Sequence, residues 1–157
     1  MALCGIGFVG AGSVARALAR AAAARGWRVC FYDIDGGKAV EAASHYGGLS
    51  FGSMEGLAAE SEAIVVAVPG PTAGRVMVEA AESSRPGTLV VDTATFKRDV
   101  VAGARGMPPG ALAALTHPYS GGGCRGLRST TWQSCPSPGG RASRRLRGST
   151  GRWASTP

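Results

Sequence analysis

The chain has 157 residues, enough for one domain with a real core, and a formal net charge of +7. It holds no run of about 18 apolar residues and no basic segment ahead of its first apolar stretch, so neither a membrane span nor a secretory leader is expected. The charge is not spread evenly: residues 1–123 carry ten Lys/Arg and ten Asp/Glu, whereas 124–157 carry seven Arg and no acid.

The first region alternates strand and helix patterns. An apolar run from Leu3 to Val9 predicts a strand. An alanine-rich pattern from Ser13, a suitable N-cap, to Arg25 predicts a helix that stops at Gly26. Arg28 to Asp33 reads as a second strand and Gly37 to Tyr46 as a second helix, closed by Gly47-Gly48. Leu49 to Phe51 reads as a short strand and Met54 to Glu60 as one or two helical turns. Ala63 to Val68 is continuous, β-branched and stopped by Pro69, as a strand buried on both faces should be. Thr72 to Ser84 predicts a helix, Thr88 to Asp92 a strand, Lys97 to Arg105 a helix and Ala111 to Thr116 a last strand. Short links between alternating strands and helices imply an α/β fold with a doubly wound, mostly parallel sheet.

Residues 124–157 have no such periodicity. Arg, Ser, Gly, Pro and Thr supply 25 of the 34 residues. Such a segment buries too little apolar surface to offset ordering entropy, so a disordered basic tail is expected beyond a domain of residues 1–123. The abrupt change of composition also fits an out-of-frame translation of a GC-rich gene. Seven arginines without acids would bind phosphate nonspecifically. With little aromatic interleaving and no nucleic-acid module, nucleic acid is not an expected partner.

The cysteines lack zinc-ligand spacing, and no metal site is expected. Cys4 and Cys30 fall on neighbouring strands and read as small buried hydrophobes, which points to a reducing, cytoplasmic setting.

Chemistry enters at Gly10-Ala11-Gly12-Ser13-Val14-Ala15, between the first strand and the first helix. Gly10 lets the chain turn sharply, Gly12 leaves the main chain bare, and Ala15 keeps the helix close to the sheet. The helix start, with Ser13 and Val14, then offers N–H groups to a pyrophosphate. Asp33 ends the second strand, where a carboxylate can accept from both ribose hydroxyls and would repel a 2′-phosphate. Strand, glycine turn, helix, strand and acid together are the Rossmann-type dinucleotide fingerprint, with NAD the expected cofactor. Two other glycine series are decoys: Gly5 to Gly10 lies inside the strand, and Gly7 to Gly12 starts the helix too late.

Ligands on open parallel sheets bind beyond the carboxyl ends of the strands. Three more segments end there: Val68-Pro69-Gly70-Pro71, Asp92 to Lys97, and His117-Pro118-Tyr119-Ser120-Gly121. Val68 and Pro69 join the expected cofactor contacts. His117 can take a proton near neutral pH, and its bland alternative is a loop histidine packed on Pro118. Thr95 can orient a hydroxyl or act only as a helix cap. Lys97 can pair with a substrate carboxylate or stand solvated. His45, on the second helix, reads as structural.

The Gly10 to Ala15 turn, the Ala-Val-Pro ending at Pro69, the Asp92-x-x-Thr95-x-Lys97 block and the His117-Pro118 pair resemble the N-terminal domain of prephenate and arogenate dehydrogenases. The resemblance covers about residues 4–123. That family's pattern has Ser at the position of Thr95 and Met at that of Tyr119, so the first difference keeps the hydroxyl. The resemblance implies oxidative decarboxylation of prephenate or arogenate in tyrosine biosynthesis, with His117 drawing the proton from the ring hydroxyl, Thr95 in the same network and Lys97 nearby. It also implies a small-molecule substrate and a helical, dimerising C-terminal domain, which residues 124–157 do not match. A β-hydroxyacid dehydrogenase, a pyrroline-carboxylate reductase-like domain, and an inactive dinucleotide-binding remnant each explain the glycine turn as well. The first two do not explain Lys97 with His117-Pro118.

Overall fold

In the computed structural model the described residues are 4–119, 128–129 and 133–134. The apolar runs become strands and the alanine-rich stretches become helices. In chain order they are β1 (Cys4–Val9), α1 (Ser13–Ala23), β2 (Val29–Tyr32), α2 (Gly36–Tyr46), β3 (Leu49–Ser50), α3 (Met54–Glu60) and β4 (Ser61–Val66). They continue with α4 (Gly70–Glu82), β5 (Leu89–Asp92), α5 (Arg98–Ala104), β6 (Leu112–Leu115), β7 (Pro118–Tyr119), β8 (Arg128–Ser129) and β9 (Gln133–Ser134).

The main sheet has the order β3-β2-β1-β4-β5-β6-β9. All its pairs are parallel except β6 with β9, and β7 pairs with β8 separately. The chain winds outward from β1 through β2 to β3, then returns to the other side of β1 with β4. That reversal opens a crevice at the ends of β1 and β4, where such sheets bind ligands.

Each face of the sheet has its own core. On one side Ala15, Ala19 and Ala22 of α1 and Ala39, Ala42 and Ala43 of α2 pack on Phe8, Val29 and Phe31. The Phe8 and Phe31 rings stack at 5.3 Å between centroids. The spacing of the three α1 alanines puts them on one stripe, and their small size lets the helix lie close to the strands. On the other side Met54, Leu57, Ile64, Val66, Met77, Val90 and Val100 form the second core. There α4 and α5 touch backbone to backbone: a Cβ on Gly103 would sit 2.4 Å from the Gly74 Cα.

Element ends differ from the sequence reading by up to two residues, for identifiable reasons. The N-cap of α1 is Gly12 and not Ser13, which is the first helical residue. The start of α4 is at Gly70, so Pro71 lies inside the first turn, where proline's missing N–H costs nothing. β4 starts at Ser61, directly after α3, because the polar Ser61 is buried and its hydroxyl donates to the Leu57 carbonyl at 2.7 Å. Most of the expected tail lies outside the described residues, as do Cys124 and Cys135. Its four described residues form β8 and β9.

Cys4 and Cys30 are buried, as expected, but they are bonded to each other as a disulfide with 5.9 Å between Cα atoms. The reading of Cys4 and Cys30 as two independent thiols is therefore corrected. Simple alternation along β1 hid this, because the strand starts irregularly: the amides of Gly5 and Ile6 both donate to the Arg28 carbonyl at 3.0 Å. Cys4 packs in the same core cluster as Val9 and Cys30. Reduction of this bond is expected to cost about 2–4 kcal/mol of stability. Thermal unfolding with and without a phosphine reductant checks it, and an unchanged midpoint would contradict it.

Candidate functional site

The end of β1 and the end of β2 are joined through the glycine turn. Gly10 donates to the Tyr32 carbonyl at 2.8 Å and has φ of +94°, a conformation that L side chains rarely adopt. The Ala11 amide then donates to Asp33 Oδ2 at 2.8 Å, and the Asp35 amide to Oδ1 at 2.9 Å. Asp33 therefore holds the turn and the entry to α2 in place as well as presenting a carboxylate at the strand end. Asp35 in turn caps α2, accepting from the Gly37 amide at 3.1 Å.

Arg16, from the first turns of α1, also braces this corner. Its Nε donates to the Ala11 carbonyl at 3.0 Å, and its Nη atoms pair with both Glu41 oxygens at 3.0 and 2.9 Å. That forked hydrogen bond, with the charge of the guanidinium, holds the Glu41 carboxyl below the usual carboxylate range.

The turn fits a dinucleotide. Gly12 is extended, and a Cβ there would meet nothing within 4 Å, so open space lies against the bare main chain at the start of α1. Gly12 has no side chain to cap the helix, which leaves the first-turn N–H groups of Ser13, Val14 and Ala15 for an anion. Ile34, beside Asp33, is 95% exposed, an apolar surface next to the carboxylate at the end of β2.

Across the crevice β4 ends at Val66, whose carbonyl accepts from the Thr93 amide at 3.2 Å and the Thr93 hydroxyl at 3.0 Å. Val68 and Pro69 follow, and Pro69 is the N-cap of α4. Thr95 is not the cap of α5, because that position is Lys97. Instead Thr95 is exposed and lines a cleft of about 360 Å³ with Gly70, Pro71, Phe96 and Asp99.

Lys97 is turned inward. Its ammonium donates to the fully buried Asp92 carboxylate and to the Thr116 carbonyl at 2.5 Å. His117 follows directly and is half-buried, and among the described residues its Nδ1 is buried without a hydrogen-bond partner. Thr95 and His117 thus follow the ends of adjacent strands β5 and β6. The structure joins Asp33 to the glycine turn, and Lys97 to the segment that carries His117. Sequence reading assigned no role to Asp92, Arg16 or Phe96. An acid at a strand end with a lysine five positions on was the available signal for Asp92; Arg16 and Phe96 had none.

The model of the family described as "NADP oxidoreductase coenzyme F420-dependent" matches residues 5–95. The chain belongs to this family. It is an NAD(P)-binding Rossmann domain of oxidoreductase type, and the match spans the glycine turn, Asp33 and the β4 end but stops before Lys97 and His117. Among solved structures, arogenate dehydrogenase from Synechocystis is similar with a TM-score of 0.64 and 19% identity, over 76% of this chain and 42% of the other. Pyrroline-5-carboxylate reductase from Coxiella burnetii matches with a TM-score of 0.63 and 18% identity, over 75% and 45%. 3-Hydroxyisobutyrate dehydrogenase from Mycobacterium tuberculosis matches with a TM-score of 0.62 and 22% identity, over 75% and 41%. The chain therefore spans less than half the length of each of these proteins, and at such identities the likeness is one of fold. No curated protein matches the sequence. No helix among the described residues is long and apolar enough to cross a membrane.

Proposed function

We propose that this chain is the cofactor-holding part of an NAD-dependent oxidoreductase of the prephenate or arogenate dehydrogenase type. The observation that carries the cofactor choice is the Asp33 carboxylate, fixed at the end of β2 by two backbone amides. A fixed negative charge there accepts from ribose hydroxyls and repels a 2′-phosphate. Gly10, Gly12, Ser13, Val14 and Ala15 would hold the pyrophosphate, and Val68 and Pro69 the face beyond β4.

The substrate reading rests on Asp92-x-x-Thr95-x-Lys97 followed by His117-Pro118. Held by the glycine turn and Asp33, a nicotinamide cofactor would supply the hydride acceptor for the ring carbon that bears the hydroxyl. His117 would take the hydroxyl proton, with Thr95 holding that hydroxyl in line. The bond to the ring carboxylate then breaks, carbon dioxide leaves, and the electron pair it releases aromatises the ring.

Turnover of prephenate and arogenate with NAD is expected to be weak for the 157-residue chain, and His117→Asn is expected to lower it by a further factor of about 10²–10⁴. NADH affinity should stay the same, since His117 is not on the glycine turn. Steady-state rates of the two proteins check this, and equal rates would remove His117 from the chemistry.

A further inference from the structure

The Asp92 carboxylate has no exposure at all. Burying such a charge without partners is strongly unfavourable, and here the carboxylate has two, both from the link between β5 and α5. Oδ1 accepts from the Ala94 amide at 2.9 Å, and Oδ2 accepts from the Lys97 ammonium. The same ammonium donates to the Thr116 carbonyl at 2.5 Å. Thr116 returns to β5 through its amide, at 3.0 Å, and its hydroxyl, at 2.7 Å, both donating to the Asp92 carbonyl. The end of β5, the entry to α5 and the end of β6 therefore meet at one ammonium, one residue before His117.

We propose that Asp92 and Lys97 are positioning residues that latch the Thr116–His117 segment and so set the place of the His117 imidazole. Two of the ammonium's three donors are used by the latch, which leaves at most one for a ligand. Among the described residues no hydrogen bond at Nδ1 steers the ring, which leaves the backbone that the latch holds as one determinant of its position. The Lys97 side chain is 30% exposed, so the latch closes at the edge of the crevice and not deep in the core. This inference rests on the reading of His117 as the proton acceptor, and its test is separable from that reading.

The chain has two histidines, and His45 on α2 serves as an internal control. In ¹⁵N–¹H NMR spectra of the full chain, Lys97→Met and Asp92→Asn are expected to displace the His117 ring and amide resonances while leaving those of His45 in place. Lys97→Arg, which keeps charge and donors, should return His117 close to its native position. If Asp92→Asn fails to fold, Lys97→Met alone decides. His117 resonances that stay put in Lys97→Met, or that move together with those of His45, would overturn the latch. In the turnover assay Lys97→Met should lower kcat about 10- to 100-fold, as misplacement of a catalytic group does, with NADH affinity unchanged. If the unmodified chain turns over neither prephenate nor arogenate, the substrate reading fails, and the NMR result still decides the latch.

Discussion

Gly10→Ala should abolish NADH binding by breaking the turn, whereas Gly12→Ala should abolish it with the fold left intact. At Gly10 a Cβ would lie 2.5 Å from the Ala67 carbonyl oxygen and 3.0 Å from its carbon, backbone atoms of the residue just after β4, whose amide donates to the Val9 carbonyl at 2.8 Å. The +94° φ adds a further penalty. Overpacking of this kind costs typically about 1–3 kcal/mol. A left-handed conformation adds roughly 1–2 kcal/mol for a residue with a Cβ. Together they remove a large share of a small domain's stability, on the order of 5–15 kcal/mol. Gly12 is the opposite case, because its φ of −75° suits any residue and its Cβ would meet open space. As an N-cap, alanine there costs less than about 1 kcal/mol. The added methyl group instead occupies the space where a pyrophosphate must reach the main chain. Thermal unfolding and NADH titration of both variants separate the two effects. Tight NADH binding by Gly12→Ala would place the dinucleotide elsewhere.

Asp33→Ala should weaken NADH by about 10- to 100-fold and shift preference toward NADPH. Hydrogen bonds to a charged group contribute about 1.5–3 kcal/mol, and each 1.4 kcal/mol is tenfold in affinity. The loss has two physical parts. The ribose hydroxyls lose their acceptor, and the Ala11 and Asp35 amides lose the carboxylate that fixes the turn. NADPH shares the second loss but gains from removal of the charge facing its 2′-phosphate. The ratio of the two affinities therefore isolates the electrostatic part from the loss of turn geometry. Titrations of both cofactors against both proteins supply the ratio, and an unchanged ratio would deny Asp33 its discriminating role.

Much of the fold was legible in the sequence, because its signals are local. Ile64 to Val66 and Leu89 to Val91 are unbroken apolar runs that only a sheet covered on both faces can bury. Gly26 and Gly47 mark helix ends through their positive φ. The Gly10 to Gly12 turn and Asp33 were legible for the same reason, since each sits at the end of a recognisable strand. What escaped depends on contacts between distant segments. The Cys4–Cys30 bond goes with an irregular start of β1 at Gly5 that no residue pattern announces. The bond from Ala11 to Asp33 spans two strands, and it gives Asp33 a structural role beside the one read from its spacing. Lys97 read as a cation for a substrate carboxylate or as a solvated side chain; its spacing from Asp92 hinted at that pair, but nothing local shows that folding also brings the Thr116 carbonyl to its ammonium. Pro71 misplaced the start of α4, since proline marks a helix boundary without saying on which side of it the first turn lies.

We propose that the glycine turn and Asp33 hold NAD in preference to NADP. Fluorescence titration of the purified chain with NADH and NADPH tests it most directly. Saturable NADH binding that is tighter than NADPH binding is the predicted result. Binding of neither cofactor, or tighter binding of NADPH, would contradict it.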